Sequence, residues 1–283
     1  MVETNGQSTI RRSPAHLRQA GIIWLQHHHT LPEPAFRRFA LPWVTLVVTL
    51  RGSGEWRKAG EGWRAFPKVA LRGHATSWSE GRDLPGQPVE YLAVLIEPWA
   101  VSQMFGIPAR LLRDDVLDLE SAPGLIHAGL RDRLSVAVGA EAKLDLLASV
   151  LMARIADPAR ADPQVARFLA LCRAQAGSVM VHDFARRIDT TPRRFRALFR
   201  DSIGVSPKPW AMLERFTASA RALHPRSWDL RDYAEPDYFD EAQAIHEFRR
   251  HSGLTPGAYR REKRDGDARV FVVTCPPLIE TDR

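Results

Sequence analysis

Cysteine is almost missing from this chain: there are two in 283 residues, Cys172 and Cys275, with no close spacing between them. That excludes a disulfide framework and a cysteine-based zinc site, and it fits a reducing compartment. Cys172 falls inside the apolar set Phe168, Leu169, Leu171 and Cys172, which reads as a buried thiol. Long hydrophobic runs are missing as well. The longest, Leu41 to Leu50, covers about ten β-branched-rich residues, half of what a membrane-spanning helix requires, and is expected to be a buried strand. The run Ala20 to Leu25 is broken by Gly21 and is too short for a signal-peptide core. The expectation is a soluble, cytoplasmic chain without membrane contact. Lysine is scarce too, at five of the 40 basic residues. Arginine is therefore abundant everywhere, and its presence at one place says less than the distribution of net charge.

That distribution is uneven. The segment Arg160 to Arg264 has 20 basic against 13 acidic residues and carries the whole net charge of +7. The remainder is neutral, so a polyanionic partner is expected for one half only. With 45% hydrophobic residues and this length, about two domains with ordinary cores are expected.

The charged half is organised around Val179 to Gly204. Val181, Phe184, Ala185 and Ile188 recur at three- and four-residue steps and form the apolar stripe of a short helix. Asp189-Thr190-Thr191-Pro192 breaks it: Thr191 is suited to cap the next helix and Pro192 to open it. In that second helix Phe195, Leu198 and Phe199 share a face, Arg193, Arg194, Arg196 and Arg200 point elsewhere, and Gly204 ends it as a left-handed cap. Between residues 186 and 200 six arginines face one acid, Asp189. A helix about 15 Å long, apolar behind and guanidinium-rich in front, fits a DNA major groove, where Arg pairs with guanine and phosphate. The alternative for these residues taken alone is the solvated face of an ordinary helical hairpin.

The chain then repeats its own punctuation. An aromatic, four residues, Gly, one residue, Ser or Thr, and Pro occur at Phe199…Gly204-Val-Ser-Pro207 and again at Phe248…Gly253-Leu-Thr-Pro256. Two copies of one supersecondary unit make an internal repeat. On these residues, with Phe184-Ala185 and Tyr259-Arg260, the segment 163 to 264 resembles the C-terminal DNA-binding domain of AraC-type transcriptional regulators. The resemblance implies two helix-turn-helix units joined by one helix, with double-stranded DNA as partner. The DNA-binding set expected is Thr191, Arg193, Arg194, Arg196 and Arg200 in the first unit. In the second unit, whose exposed residues also include Glu247, it is Glu241, Gln243, His246, Arg249 and Arg250. One departure stands in the second unit, where Tyr233-Ala234 is followed by Glu235-Pro236-Asp237-Tyr238, one residue short of the family pattern and without its turn glycine. A loosened turn and weaker DNA binding by that unit are expected. The joining helix, Lys208 to Leu223, is about 24 Å long, so that with the width of the units the recognition helices come close to the roughly 34 Å of one DNA turn.

Residues 36 to 97 carry strand signals: Trp43 to Leu50, the Gly52-Ser-Gly54 turn, Trp56 to Phe66, Val69 to Leu71 and Tyr91 to Ile96. They predict a small barrel or sandwich. Phe66-Pro67 with Gly73, Leu92 to Ile96 and Met104-Phe105-Gly106-Ile107-Pro108 resemble the cupin-like sensing domain of an AraC-type subgroup; Leu41-Pro-Trp-Val-Thr departs from its acidic strand. A small-molecule effector pocket is expected from Trp43, Trp56, Trp63, Arg72, His74, Trp78 and Tyr91, residues that would equally make a plain core. No metal and no cofactor are expected. No second His stands two residues from His74, and His27-His28-His29 is the single cluster, with His27 and His29 on one face if it is a strand.

From Pro108 the period becomes helical, through Leu111-Leu112, Leu125, Ile126 and Leu130, then Leu144, Leu146, Leu147, Val150, Leu151 and Ile155. The stripe from Leu144 suits a homodimer helix or packing on its own barrel. The fold class expected is α+β: a small cupin-like β-barrel or sandwich with helices over 1–156, a linker over 157–163, an all-α double helix-turn-helix over 164–264, and a tail over 265–283 with no assigned role. The function expected is a DNA-binding transcriptional regulator and not an enzyme, with an effector, a second copy of the chain and RNA polymerase as further partners. The competing readings are a cupin-type metalloenzyme fused to a helical domain, and an interaction adaptor that no longer binds DNA.

Overall fold

The computed structural model describes residues 2–4, 8–32, 35–121, 129–154, 162–223 and 241–264. The fold is α+β, and the chain divides into two compact units. The first is Met1–Ala35, Trp43–His74 and Gly81–Ala161; the second is Phe36–Pro42, Ala75–Glu80 and Asp162–Arg283. Among the described residues no helix is long and apolar enough to cross a membrane.

The first unit is built on a seven-stranded antiparallel sheet. Its strands are β1 (Val2–Thr4), β2 (Ser8–Arg12), β3 (Ile22–Thr30), β5 (Val44–Arg51), β8 (Val69–Arg72), β10 (Val89–Ile96) and β11 (Val116–Asp118), in the order β1-β2-β3-β10-β5-β8-β11. β-branched residues dominate β5, and β10 is mostly apolar, which suits a pleated surface buried on both faces. The helices are α1 (Ala15–Gln19), α2 (Pro98–Phe105), α3 (Leu130–Val136) and α4 (Ala140–Met152). A smaller sheet takes β4 (Phe36–Arg38), β9 (Ser79–Asp83), β6 (Gly54–Lys58) and β7 (Arg64–Ala65) in the order β4-β9-β6-β7. Strands β1, β2, β3 and β11 lie outside the segment whose pattern predicts strands.

Register separates the two faces of the large sheet. One carries Leu25, Leu46, Val48, Val69, Leu71, Leu92 and Val94, all buried and packed in one core with Leu130, Leu134, Leu144, Leu147 and Leu151 of α3 and α4. The Leu144 stripe is thus used inside its own unit, which removes it as a dimer surface. Polar residues pin the same helix: Arg11 reaches Glu141 at 2.9 Å and Asp145 at 2.6 Å, and Glu90 bonds both Lys143 and His27. Gly73 sits where a side chain cannot, since a Cβ there would lie 1.3 Å from the Leu112 carbonyl oxygen.

The opposite face is mixed. It presents Trp24 and His28 from β3, Tyr91, Ala93 and Leu95 from β10, Thr45 and Thr49 from β5, and Ala70 and Arg72 from β8. Apart from Tyr91, these are buried. His28 lies on the Tyr91 ring, centroids 4.9 Å apart, and burial, with the flanking His27 and His29, lowers its pKa from 6.5 to about 4.

The second unit is helical: α5 (Pro163–Ala174), α6 (Val181–Arg187), α7 (Pro192–Ile203), α8 (Pro207–Ala222), α9 (Glu241–Ser252) and α10 (Pro256–Arg264). Two segments from the N-terminal half, 36–42 and 75–80, belong to it. Phe39 packs among Phe216, Tyr259 and Phe248, at ring distances of 5.9, 5.6 and 6.5 Å. The Ala40 N–H donates to the His251 carbonyl at 2.9 Å, and His251 Nδ1 lies 2.8 Å from the Thr76 carbonyl oxygen. Leu41 and Ala75 bridge one another. The sequence puts Phe39 to Pro42 at the entrance of a β-strand; its side chains instead complete the core of α8, α9 and α10, because they find there an aromatic cluster that those helices alone leave open.

Two outcomes follow from this packing. Phe39→Ala is expected to cost about 3–5 kcal/mol of stability, and hydrogen exchange should accelerate at α9 and α10 while β5 and β10 keep their protection. Uniform loss of protection across both units would contradict it. For His28 the folded pKa lies below the ordinary value, so its penalty is absent above pH 6.5 and grows as pH falls toward about 4. His28→Gln should therefore flatten the acid loss of the unfolding midpoint across that window; an unchanged slope would contradict the burial account.

Candidate nucleic-acid interface

The first helix-turn-helix is set by local chemistry. Thr191 caps α7, its hydroxyl oxygen accepting from the Arg194 N–H at 3.2 Å, and Pro192 takes the first helical position. Asp189 adopts φ 53° in the turn after α6, a conformation that Asp tolerates better than most residues. Gly204 closes α7 at φ 91°, its N–H donating to the Arg200 carbonyl at 2.8 Å.

The apolar side of α7 is Phe195, Phe199 and Ile203, each fully buried. Phe168 of α5 anchors it, with ring centroids 5.0, 5.1 and 5.2 Å from Phe184, Phe195 and Phe199. Leu198, expected on this face, is half-buried, and Ile203 takes the third place. With the hydrophobic side occupied, Arg193, Arg194, Arg196 and Arg200 are all exposed, and none forms an ion pair among the described residues. Arg186 differs, since it bonds Asp183 at 2.8 Å. The arrangement offers four exposed guanidinium groups on one helix, a donor array suited to phosphate and to the guanine edge.

Around α9 the chain repeats the closing half of this frame, and the helix and turn expected before it lie outside the described residues. α7 and α9 are both 12 residues long. Gly253 has φ 74° and its N–H donates to the Arg249 carbonyl at 2.8 Å, as Gly204 does to Arg200. Phe199 packs on Trp210 at 6.2 Å and Phe248 on Tyr259 at 5.7 Å. Gln243, His246, Arg249 and Arg250 are exposed on α9. Glu247 is not: it is 3% exposed, 3.7 Å from Arg215 of α8, and burial raises its carboxyl pKa against the pull of that guanidinium. Glu241 opens α9, but its side chain lies outside the described residues, as do the Glu235-Pro236-Asp237 turn, the 265–283 tail and Cys275.

Adjacent residues of α8 tie down the two units. Glu214, fully buried, lies 3.4 Å from Arg173 of α5, while Arg215 turns to Glu247 of α9. The sequence holds no local signal for either pair, because each joins residues far apart in the chain.

The residues expected to form an effector pocket are only partly brought together. Arg72 and Tyr91 share the mixed face of the large sheet with His28, Thr45, Thr49 and Trp24, four residues outside the expected set. Trp63 is held between Arg57 and Arg82, at 4.5 and 4.3 Å, and Trp56 is buried nearby in β6. Trp43 is buried just before β5, and His74, fully buried after β8, has its pKa lowered to about 4 by burial. Trp78 belongs to the second unit, where a Cβ on Gly253 would meet its ring at 2.6 Å and the Arg37 guanidinium lies 4.7 Å above it. His27 is engaged with Glu90 at 2.9 Å. Among the described residues no group of three or more His, Cys, Asp or Glu is placed to hold a metal ion.

No protein-family model matches the chain, and no curated protein matches it. Among solved structures, it is similar to unsaturated-fatty-acid-bound ToxT from Vibrio cholerae, with 12% identity and a TM-score of 0.45, over 92% of this chain and 97% of that one. A second ToxT structure from Vibrio cholerae aligns at 11% identity and a TM-score of 0.48, over 84% of this chain and 98% of that one. The C-terminal domain of AraT, a response regulator from Geobacillus stearothermophilus, aligns at 20% identity and a TM-score of 0.31, over 36% of this chain and 88% of that one. At identities and TM-scores this low, the functional argument rests on the geometry of α7 and its repeat.

Proposed function

We propose that this protein is a sequence-specific, DNA-binding transcriptional regulator of AraC type, and not an enzyme. The observation that carries the reading is α7: a capped helix whose phenylalanine side is fully buried and whose Arg193, Arg194, Arg196 and Arg200 are all exposed. A second copy of the same frame stands at the far end of α8. The helix joining them has 16 residues, about 24 Å by its rise, which suits recognition helices that enter successive major grooves about 34 Å apart.

The first unit is proposed to sense a small molecule on the mixed sheet face, where His28, Thr45, Thr49 and Arg72 supply polar groups among apolar walls. The chain passes between this unit and the second at 36–42 and 75–80 as well as near residue 162. Ligand binding that favours one arrangement of those crossings over another would bias DNA affinity by linkage.

The full chain is the material to test, since Phe39 and Ala40 complete the core of α8, α9 and α10. With about six phosphate contacts, log K should fall against log salt with a slope near −5 between about 50 and 200 mM. Arg196→Ala should cost about 1–3 kcal/mol and relax preference at one base pair. A slope near zero, or an Arg196→Ala variant that binds as the parent does, would overturn the proposal.

A further inference from the structure

The repeat allows the two recognition helices to be compared position by position. Pairing Phe199 with Phe248 and Gly204 with Gly253 sets Arg193 against Ala242, Arg194 against Gln243, Arg196 against Ile245 and Arg200 against Arg249. The pairing is structural as well as sequential, because both helices have 12 residues and end on a left-handed glycine with the same backbone bond.

The α9 side chains divide as those of α7 do. Glu247, Phe248, His251 and Ser252 are buried, while Ala242, Ile245, His246 and Arg249 stand on the outer stripe at steps of three and four residues. Ile245 is 38% exposed, one of few large apolar side chains so placed among the described residues. It sits at the middle of the stripe, where α7 has Arg196. An isoleucine at the centre of an outward stripe, with Ala242 one turn before it and His246 and Arg249 beside and after it, gains nothing from water, and the partner that suits it is an apolar group. In a major groove that group is the thymine C5-methyl, the one apolar feature that the base edges display.

We propose that Ile245, with Ala242 beside it on the stripe, reads a thymine methyl, so that the two units have different base preferences: guanine through α7 and A·T through α9. This inference rests on the DNA-binding reading above. It names Ile245 as the residue that sets specificity in the second half-site. It also makes the operator an asymmetric site, read in one orientation by one chain, despite the repeat in the protein.

The experiment uses the full chain and a pool of random-sequence DNA duplexes. Selection with the parent should return a G-containing half-site and, about one helical turn away, an A·T half-site. Each thymine of the second half-site is then replaced in turn by deoxyuridine, which lacks only the methyl group. One replacement should weaken the parent about four-fold, the fold-change matching burial of one methyl, and should leave Ile245→Ala unaffected. Ile245→Arg should move the selected base at that position to guanine by at least about five-fold, with the α7 half-site unchanged, which also shows that the variant is folded. Loss of the guanine preference in Arg196→Ala, together with deoxyuridine insensitivity throughout in the parent, would overturn this inference and leave the regulator reading standing. Failure of the parent to enrich any sequence would overturn both.

Discussion

Burial of α8 on both sides is the constraint on which the second unit depends. Trp210 enters the first aromatic cluster with Phe199, and two turns later Phe216 enters the second with Phe39 and Phe248. Between them Leu213 and Glu214 have almost no exposed surface. A carboxylate in that place would be costly without its guanidinium, and Arg173 supplies one from α5, while the next residue, Arg215, neutralises Glu247 on α9. The helix is therefore held by an aromatic contact to α7 and another to α9, and by one ion pair to α5 and one to α9. Removing Arg173 or Arg215 leaves a buried carboxyl group without its guanidinium, a change that typically costs about 3–5 kcal/mol when the group stays charged. This arrangement sets the separation and the relative rotation of α7 and α9, which is what a two-groove reader has to control.

The two ends of α8 are not held alike. The first cluster is closed by helices near one another in sequence, with Phe168, Phe184, Phe195 and Phe199 all within α5 to α7. The second is incomplete without Phe39, Ala40 and the Thr76 carbonyl, which come from chain segments flanked by strands of the first unit. Forming it requires closing a loop of well over a hundred residues, so its assembly depends on long-range closure where the first cluster relies on local contacts. The same dependence makes the second recognition helix the one whose stability follows the state of residues 36–42 and 75–80.

What could be read from the sequence follows the same division between local and distant causes. Thr191, Pro192 and Gly204 declare the ends of α7 because caps act within one turn, and Phe195 and Phe199 declare its buried side by period. Trp43 to Leu50 is legible as a strand through its β-branched content, and Tyr91 to Ile96 as a short apolar run bounded by turn residues. Three things were not legible. Strand β3 mixes Trp, Gln and three His, and only its pairing with β10 shows that His28 and Tyr91 share a face. Glu247 has the composition of a solvated residue and is buried because Arg215 faces it from another helix. Phe39 and Trp78 lie in stretches that read as β-structure, and no neighbour in sequence reveals that their partners are Phe216 and Gly253. The exposed arginines of α7 were legible as a set, whereas the outward position of Ile245 on α9 required knowing which side of that helix is buried.

The most direct test of the whole account is a hydroxyl-radical footprint of the full chain on its selected site. One chain with two recognition helices at opposite ends of α8 should protect two backbone clusters on the same face of the duplex, about 10 base pairs apart, with the cluster under α7 persisting at higher salt than the one under α9. A single protected cluster under all conditions, or protection spread evenly along the duplex, would contradict it.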